Sequence, residues 1–295
     1  MRTMEEQIAT NKRDSIILVG IVSVTLVALF YLFAQVYDPS LVFVFLIIAV
    51  ILSTLGTIAS YWYSDKIVLS VTKTREPTPI EQAHLSNVVE GLAIAAGIPA
   101  PRFVIIADDV NLNAFATGRD PNHAVLAVTS ALLKVMSREE LEGVIAHEMS
   151  HIENYDIRFS SMVAVLVGII VIASQIFLRS MWFSGGNRDR KGGNFIFLLI
   201  GIILAILAPI FTQLIQLAVS RQREYLADSS GAYLTRNPEG LASALEKIKN
   251  QNVNTKVNGA VSHLYFVNPL LPKNAESLFA THPPIEERIR RLREM

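Results

Sequence analysis

The chain has 295 residues, of which 51% are hydrophobic and only 18% charged, too apolar a balance for an ordinary soluble domain of this length. Its 26 basic and 26 acidic side chains cancel, which excludes the cationic excess that a nucleic-acid partner demands. The absence of cysteine excludes disulfides and thiolate ligands, so any metal must be held by His, Asp or Glu.

The first elements in chain order are apolar. A hydrocarbon core about 30 Å thick needs about 20 residues of apolar helix, and four stretches approach that length: Ile16–Val36, Leu41–Tyr61, Ser160–Leu178 and Phe195–Val219. The first two are parted by a turn with Asp38, Pro39 and Ser40 and read as a hairpin that crosses and returns. Ile16–Val36 is too long for the apolar part of a cleaved leader, and no clear small-residue cleavage site follows it. Arg2, Lys12 and Arg13 precede this hairpin and Lys66, Lys73 and Arg75 follow it, while the turn has neither Lys nor Arg. Both flanks therefore read as cytosolic. The second pair conflicts with this rule, because its connecting loop carries Arg179, Arg188, Arg190 and Lys191. Either that pair crosses in spite of the charge, or it packs in the interface or against the catalytic part.

Between the hairpins the chain has soluble character. Thr78, Pro79 and Glu81 open an amphipathic stretch that runs as a helix to about Ala96 and is stopped by Gly97 and Pro99. Arg102–Ile106 is β-branched and apolar, as a strand would be. Asn113–Gly118 and His123–Thr129 read as two further strands around a turn built from Gly118, Asp120, Pro121 and Asn122. No internal repeat or low-complexity tract appears.

The strongest chemical signal is His147-Glu148-Met149-Ser150-His151, an HExxH motif. On a helix, residues i and i+4 share one face, so the two imidazoles there can grip one zinc ion, and Glu148 beside them can serve as general base. A helix is independently expected, since Ser137 and Glu140 have capping-box spacing ahead of Leu141, Val144 and Ile145. The bland alternative is a pair of solvated histidines. Catalytic zinc usually has three protein ligands and a water. The candidate third ligand is Glu224, with Asp228 one helical turn beyond it, placed to accept the free ring N–H of a ligating histidine. Alone, this E-x-x-x-D pair is weak, since surface helices carry such carboxylates constantly. Position strengthens it: His151 lies just before the third apolar stretch and Glu224 just after the fourth, so a hairpin returns both to one membrane face.

Together these residues resemble the HtpX membrane metalloproteases, relatives of the zinc-dependent CAAX prenyl endopeptidases within the gluzincin group. The resemblance covers nearly the whole chain: the leading pair of spans, Asn113-Ala114-Phe115-Ala116-Thr117-Gly118, the HExxH helix, the second apolar pair, Glu224 to Asp228, and Thr281-His282-Pro283-Pro284 followed by Arg288. It implies His147, His151 and Glu224 as ligands of one zinc ion and Glu148 as the base. It also implies that Asn113, Ala114, Phe115 and Ala116 form an edge strand that holds an extended substrate by β-augmentation, and that His282 and Arg288 lie near the oxyanion. A buried strand, a histidine capping the last helix and a solvated basic run are the plain readings of those last features. His84, His123 and His263 have no motif around them and read as structural or exposed.

The fold expected is mainly α with a small β-sheet: multi-span membrane helices plus a gluzincin-like metalloprotease domain. Its parts would be a transmembrane hairpin (1–63), a catalytic part with the edge strand and HExxH (64–159), a second apolar hairpin (160–219) and a catalytic part with the third ligand (220–295). The function expected is that of a zinc endopeptidase of a bacterial cytoplasmic membrane, facing the cytosol, with membrane lipid around it and unfolded or membrane proteins as substrates. A prenyl-protein endopeptidase would use the same chemistry, but the resemblance ties that activity to more spans around a large chamber. A non-catalytic zinc scaffold would need no base at Glu148.

Overall fold

A computed structural model describes residues 39–107, 109–166, 221–251 and 283–295, isolated positions between 6 and 31, and Val261, Leu264 and Phe266. The first long element is α1 (Val42–Trp62), entered through a single 3₁₀ turn at Pro39–Leu41. Pro39–Trp62 is long and apolar enough to cross a membrane, and most of its side chains are exposed. The isolated positions between 6 and 31 are helical where described. The fourth apolar stretch lies outside the described residues, as does the third beyond residue 166.

α2 (Ser64–Val71) leads from α1 into the two-residue β1 (Thr74–Arg75). α3 (Pro79–Ala96) begins and ends where its sequence dictates. Thr78 and Glu81 form the capping box, Pro79 opens the helix, and Gly97 closes it in the left-handed region with φ 67°. β2 (Arg102–Ile106) follows with the bounds read from the sequence. The next two strands are shorter than that reading: β3 is Ala114–Thr117 and β4 is Val125–Thr129. The residues between them are spent on a bend and on a 3₁₀ turn at Pro121–His123 capped by Asp120, which removes His123 from the strand.

The sheet order is β1-β2-β4-β3. β4 runs parallel to β2, with Arg102 opposite Val125 and Ile106 opposite Thr129, and antiparallel to β3, with Ala114 opposite Val128. β3 is thus an edge of the sheet. α4 (Ser130–Val135) is capped by Thr129, and α5 (Arg138–Glu153) starts at the Ser137–Glu140 capping box. A short turn at Asn154 and Tyr155 leads to α6 (156–166). α7 (Arg221–Thr235), α8 (Pro238–Gln251) and α9 (Ile285–Arg293) complete the described helices.

The main core lies between α3, one face of the sheet, α5 and α8, and includes Leu85, Ile105, Leu126, Leu141, Ile145, Met149, Leu241 and Leu245. α5 runs through its centre, which makes the HExxH helix one of the best-supported elements in the molecule. Two glycines set how closely its neighbours approach. A Cβ at Gly143 would stand 2.7 Å from the backbone nitrogen of Leu241 on α8, and one at Gly231 on α7 would stand 3.0 Å from that of His147. α7 is thereby pressed against α5 at the height of the motif.

Candidate metal centre

His147 and His151 project from one face of α5, as their i, i+4 spacing requires. Their Nε2 atoms lie 3.2 Å apart. From α7, the two carboxylate oxygens of Glu224 stand 3.7 Å from Nε2 of His147 and 3.5 Å from Nε2 of His151. The three donor groups fall within 4.8 Å of one another.

Each ring is held from behind by a carboxylate. Nδ1 of His147 is 3.0 Å from Oδ1 of Asp228, as the E-x-x-x-D spacing anticipates. Nδ1 of His151 is 2.9 Å from Oδ2 of Asp156. Sequence reading missed Asp156. A carboxylate only accepts, so each Nδ1 carries a hydrogen, and the two Nε2 atoms are turned towards each other and Glu224. At this separation the two nitrogens can share a proton or a metal ion. A tetrahedral zinc ion with Zn–N distances of about 2.0–2.1 Å spaces its nitrogens by about 3.3 Å, so the observed spacing and the His, His, Glu donor set both fit that ion.

Burial and neighbouring charges act in opposite directions on the two rings. Burial works against charge on His151, yet the Asp156 bond and the charges of Glu224 and Glu148 outweigh it and push its pKa up to about 9. Burial dominates at His147, which is held down to about 4 in spite of Asp228, with Arg288 nearby adding to the fall. Asp228 is itself held down to about 2, because Arg288 and His147 overcome its burial.

Arg288 comes from α9 and is almost wholly enclosed. It grips Asp228 with two donors, Nε to Oδ2 at 2.8 Å and Nη2 to Oδ1 at 2.7 Å, and its Nη1 lies 3.5 Å from Glu224. The guanidinium thus lies against both the ligand Glu224 and the carboxylate that holds His147. His282, paired with Arg288 in the resemblance, lies outside the described residues, as does His263. His84 is exposed, and His123 is half-exposed and engaged with Asp120 and Arg119.

Glu148 is buried beside the histidines, and its Oε2 accepts the backbone N–H of Ala116 at 2.9 Å. That bond ties the base position to β3. Asn113, Ala114, Phe115 and Ala116 are all buried, although β3 is a sheet edge. Part of what covers them is Phe266, whose N–H donates to Oδ1 of Asn113 at 3.0 Å and whose ring lies 5.2 Å from that of His147. The cavity is lined by Ala114, Ala116, His147, Glu148, Glu224 and Arg223 among others.

The sequence matches the profile "Peptidase family M48" over residues 79–295. The chain belongs to peptidase family M48. Among relatives of this M48 peptidase, "Protease HtpX homolog" of Dictyoglomus turgidum is 47% identical, the alignment covering 99% of this chain and 95% of the relative. The protein of that description from Caldanaerobacter subterraneus subsp. tengcongensis is 45% identical over 100% and 98% of the two chains, and that from Pyrococcus furiosus 47% identical over 85% and 86%. Among solved structures, the crystal structure of S. mikatae Ste24p superposes with a TM-score of 0.52 at 19% identity, covering 97% of this chain and 66% of that one. That likeness concerns the fold. The M48 membership, the apolar helix and the His147, His151, Glu224 cluster make the molecule a membrane-associated peptidase with a candidate metal centre.

Proposed function

We propose that this M48 peptidase is a zinc-dependent endopeptidase, with one ion per chain held by His147, His151 and Glu224. The observation that carries the reading is the pair of Nε2 atoms 3.2 Å apart facing Glu224, with both Nδ1 atoms engaged by carboxylates. Three protein ligands of this kind leave zinc a fourth position for water or substrate. When bound, zinc supplies Lewis acidity to water and to the scissile carbonyl.

The remaining work belongs to side chains and backbone. Glu148 takes the proton of the attacking water and passes it to the departing amine, and its bond from Ala116 sets the orientation of the carboxylate. Asp228 and Asp156 fix the tautomers of His147 and His151. Arg288 is a positioning residue, since it holds Asp228. The resemblance alone supports His282 as a donor to the oxyanion. The outer backbone of Ala114 and Ala116, with Phe115 between them and Asn113 just before the strand, pairs with an extended peptide. Glu148 and Phe266 hold groups of this segment now, so a substrate must exchange with them.

The same reading extends to the membrane. Hairpins at 1–63 and 160–219 would each cross it, with catalytic parts 64–159 and 220–295 on the cytosolic side of a bacterial cell membrane. The support is the placing of Lys and Arg on both flanks of the first hairpin with none in its turn, and the meeting of α5 and α7, whose ligands flank the stretch 160–219 in sequence. The substrates would be misfolded or damaged membrane proteins, cut in extended segments near the bilayer.

The test is Glu148→Gln in the full chain. The variant should bind zinc as the native chain does while cleavage of an unfolded protein falls by about 10²–10⁴-fold. Undiminished cleavage would remove Glu148 from the mechanism, and failure of the native chain to bind zinc would remove the metal assignment.

A further inference from the structure

We propose that the groove where α1 meets the catalytic part binds the phosphate of an anionic phospholipid headgroup. The inference rests on reading α1 as a membrane span. The groove measures about 290 Å³ and is lined by Trp62, Tyr63, Asp65, Lys66, Arg119 and His123. α1 has 21 residues, and at 1.5 Å per residue it matches a hydrocarbon core of about 30 Å. Its last residue, Trp62, therefore sits at headgroup depth, where tryptophan and tyrosine concentrate.

Three consecutive aromatic residues there each carry a cation. The Arg119 guanidinium lies 4.5 Å from the centre of the Trp62 ring, Lys66 Nζ lies 5.3 Å from that of Tyr63, and the Arg158 guanidinium lies 5.5 Å from that of Tyr61. Arg119 is fixed on further sides. Its Nη2 donates to Nε2 of His123 at 2.6 Å, its Nε stands 3.5 Å from Asp120, and its backbone carbonyl accepts from Nε of Arg158 at 2.7 Å. His123 completes the frame by giving its Nδ1–H to Asp120 at 2.7 Å. An ordinary surface arginine keeps its rotamer freedom and gains little from one ion pair. Here the ordering is already in place, as a site for a fixed anion requires.

The charges select the headgroup. Of the residues lining the groove, Lys66 and Arg119 are cationic and Asp65 is acidic, and Asp65 lies in the first turn of α2, where the helix amides offset its charge. A positive excess at this depth draws anionic lipid. A choline group would need open ring faces, and the rings of Trp62 and Tyr63 already have Arg119 and Lys66 over them. The site also abuts the catalytic part. Arg119 directly follows Thr117 and Gly118, whose hydroxyl and N–H meet Oγ of Ser161 at 2.8 and 3.2 Å, so a bound headgroup braces the end of β3.

The experiment is native mass spectrometry of the full chain in mild detergent, offered phosphatidylglycerol and phosphatidylcholine with matched acyl chains. Preferential retention of phosphatidylglycerol is expected, with about a fivefold loss of that retention in Lys66→Gln and again in Arg119→Gln, and with phosphatidylcholine unchanged. Equal retention of the two lipids, or variants that keep the preference, would overturn the proposal. Displacement of the lipid by inorganic phosphate would make a soluble anion the ligand and overturn it also. Lys66 is exposed, so Lys66→Gln decides the matter if Arg119→Gln proves misfolded by its unfolding curve. A native chain that enters no vesicle of either lipid would sink the span reading and the headgroup site together, while zinc binding in detergent reports on the peptidase reading separately.

Discussion

Each imidazole of the candidate metal centre is held from behind by a carboxylate, and the two carboxylates reach their rings by different routes. Asp228 arrives one helical turn after Glu224, whereas Asp156 depends on a reversal of the chain immediately after α5. That reversal puts Tyr155 in the left-handed region with φ 61°, an unfavourable state for a side chain of its bulk. Asp156→Asn and Asp228→Asn should each weaken zinc binding by about 10–100-fold, measured by competition with a chelating dye. Arg288→Gln removes the partner of a buried carboxylate. Its expected cost is about 3–5 kcal/mol, read from denaturant unfolding in detergent, with Arg288→Lys falling between it and the native chain. The residues readable in the sequence were those tied to helical period: His147, Glu148, His151, Glu224 and Asp228. Asp156 was not readable, because a single left-handed residue leaves no periodic trace. Phe266 reaches Asn113 from a distant part of the chain, and nothing local announces that contact.

At the level of elements, α5 is anchored through its own cap. Glu140 closes the capping box and also accepts from Ser243 Oγ at 2.7 Å and Lys247 Nζ at 2.6 Å, both on α8. Burial opposes ionisation of Glu140, but Lys247, Ser243 and the Ser137 amide outweigh it and hold its pKa below the usual 4.5. A lowered pKa in the folded state gives stability that is complete above the unfolded value and fades as the pH falls below it. Glu140→Gln should therefore lose about 1–3 kcal/mol near pH 7, and the gap from the native chain should close below about pH 4.5, as unfolding curves across that range would reveal. Gly231→Ala should push α7 from α5 by a few tenths of an ångström and weaken zinc binding more than it lowers overall stability. An unaltered affinity would mean that the helices slide without disturbing Glu224. Helix starts were legible because capping residues act locally, as at Thr78 and Ser137. Sheet order was not legible: alternation marks a strand without naming its neighbour, and β4 inserts between β2 and β3. The two-residue β1 and the short α2 and α4 were too brief for any period to emerge.

Taken whole, the molecule joins an exposed apolar helix to a catalytic part whose core is ordinary in kind. The membrane fraction should retain the protein after washing at alkaline pH, and release by that treatment would count against α1 as a span. The ligand set described above divides between α5 and α7, on either side of the apolar stretches 160–219 in the sequence. An ion shared by those helices would close a long loop of chain, and in a protein without cysteine it would stand where a disulfide would. Loop closure of this kind restricts the unfolded chain, so metal loading should raise the unfolding temperature in step with the logarithm of free zinc. Unlike a disulfide, the link is reversible, and one ion would then govern both how fast the enzyme cuts and how long it survives.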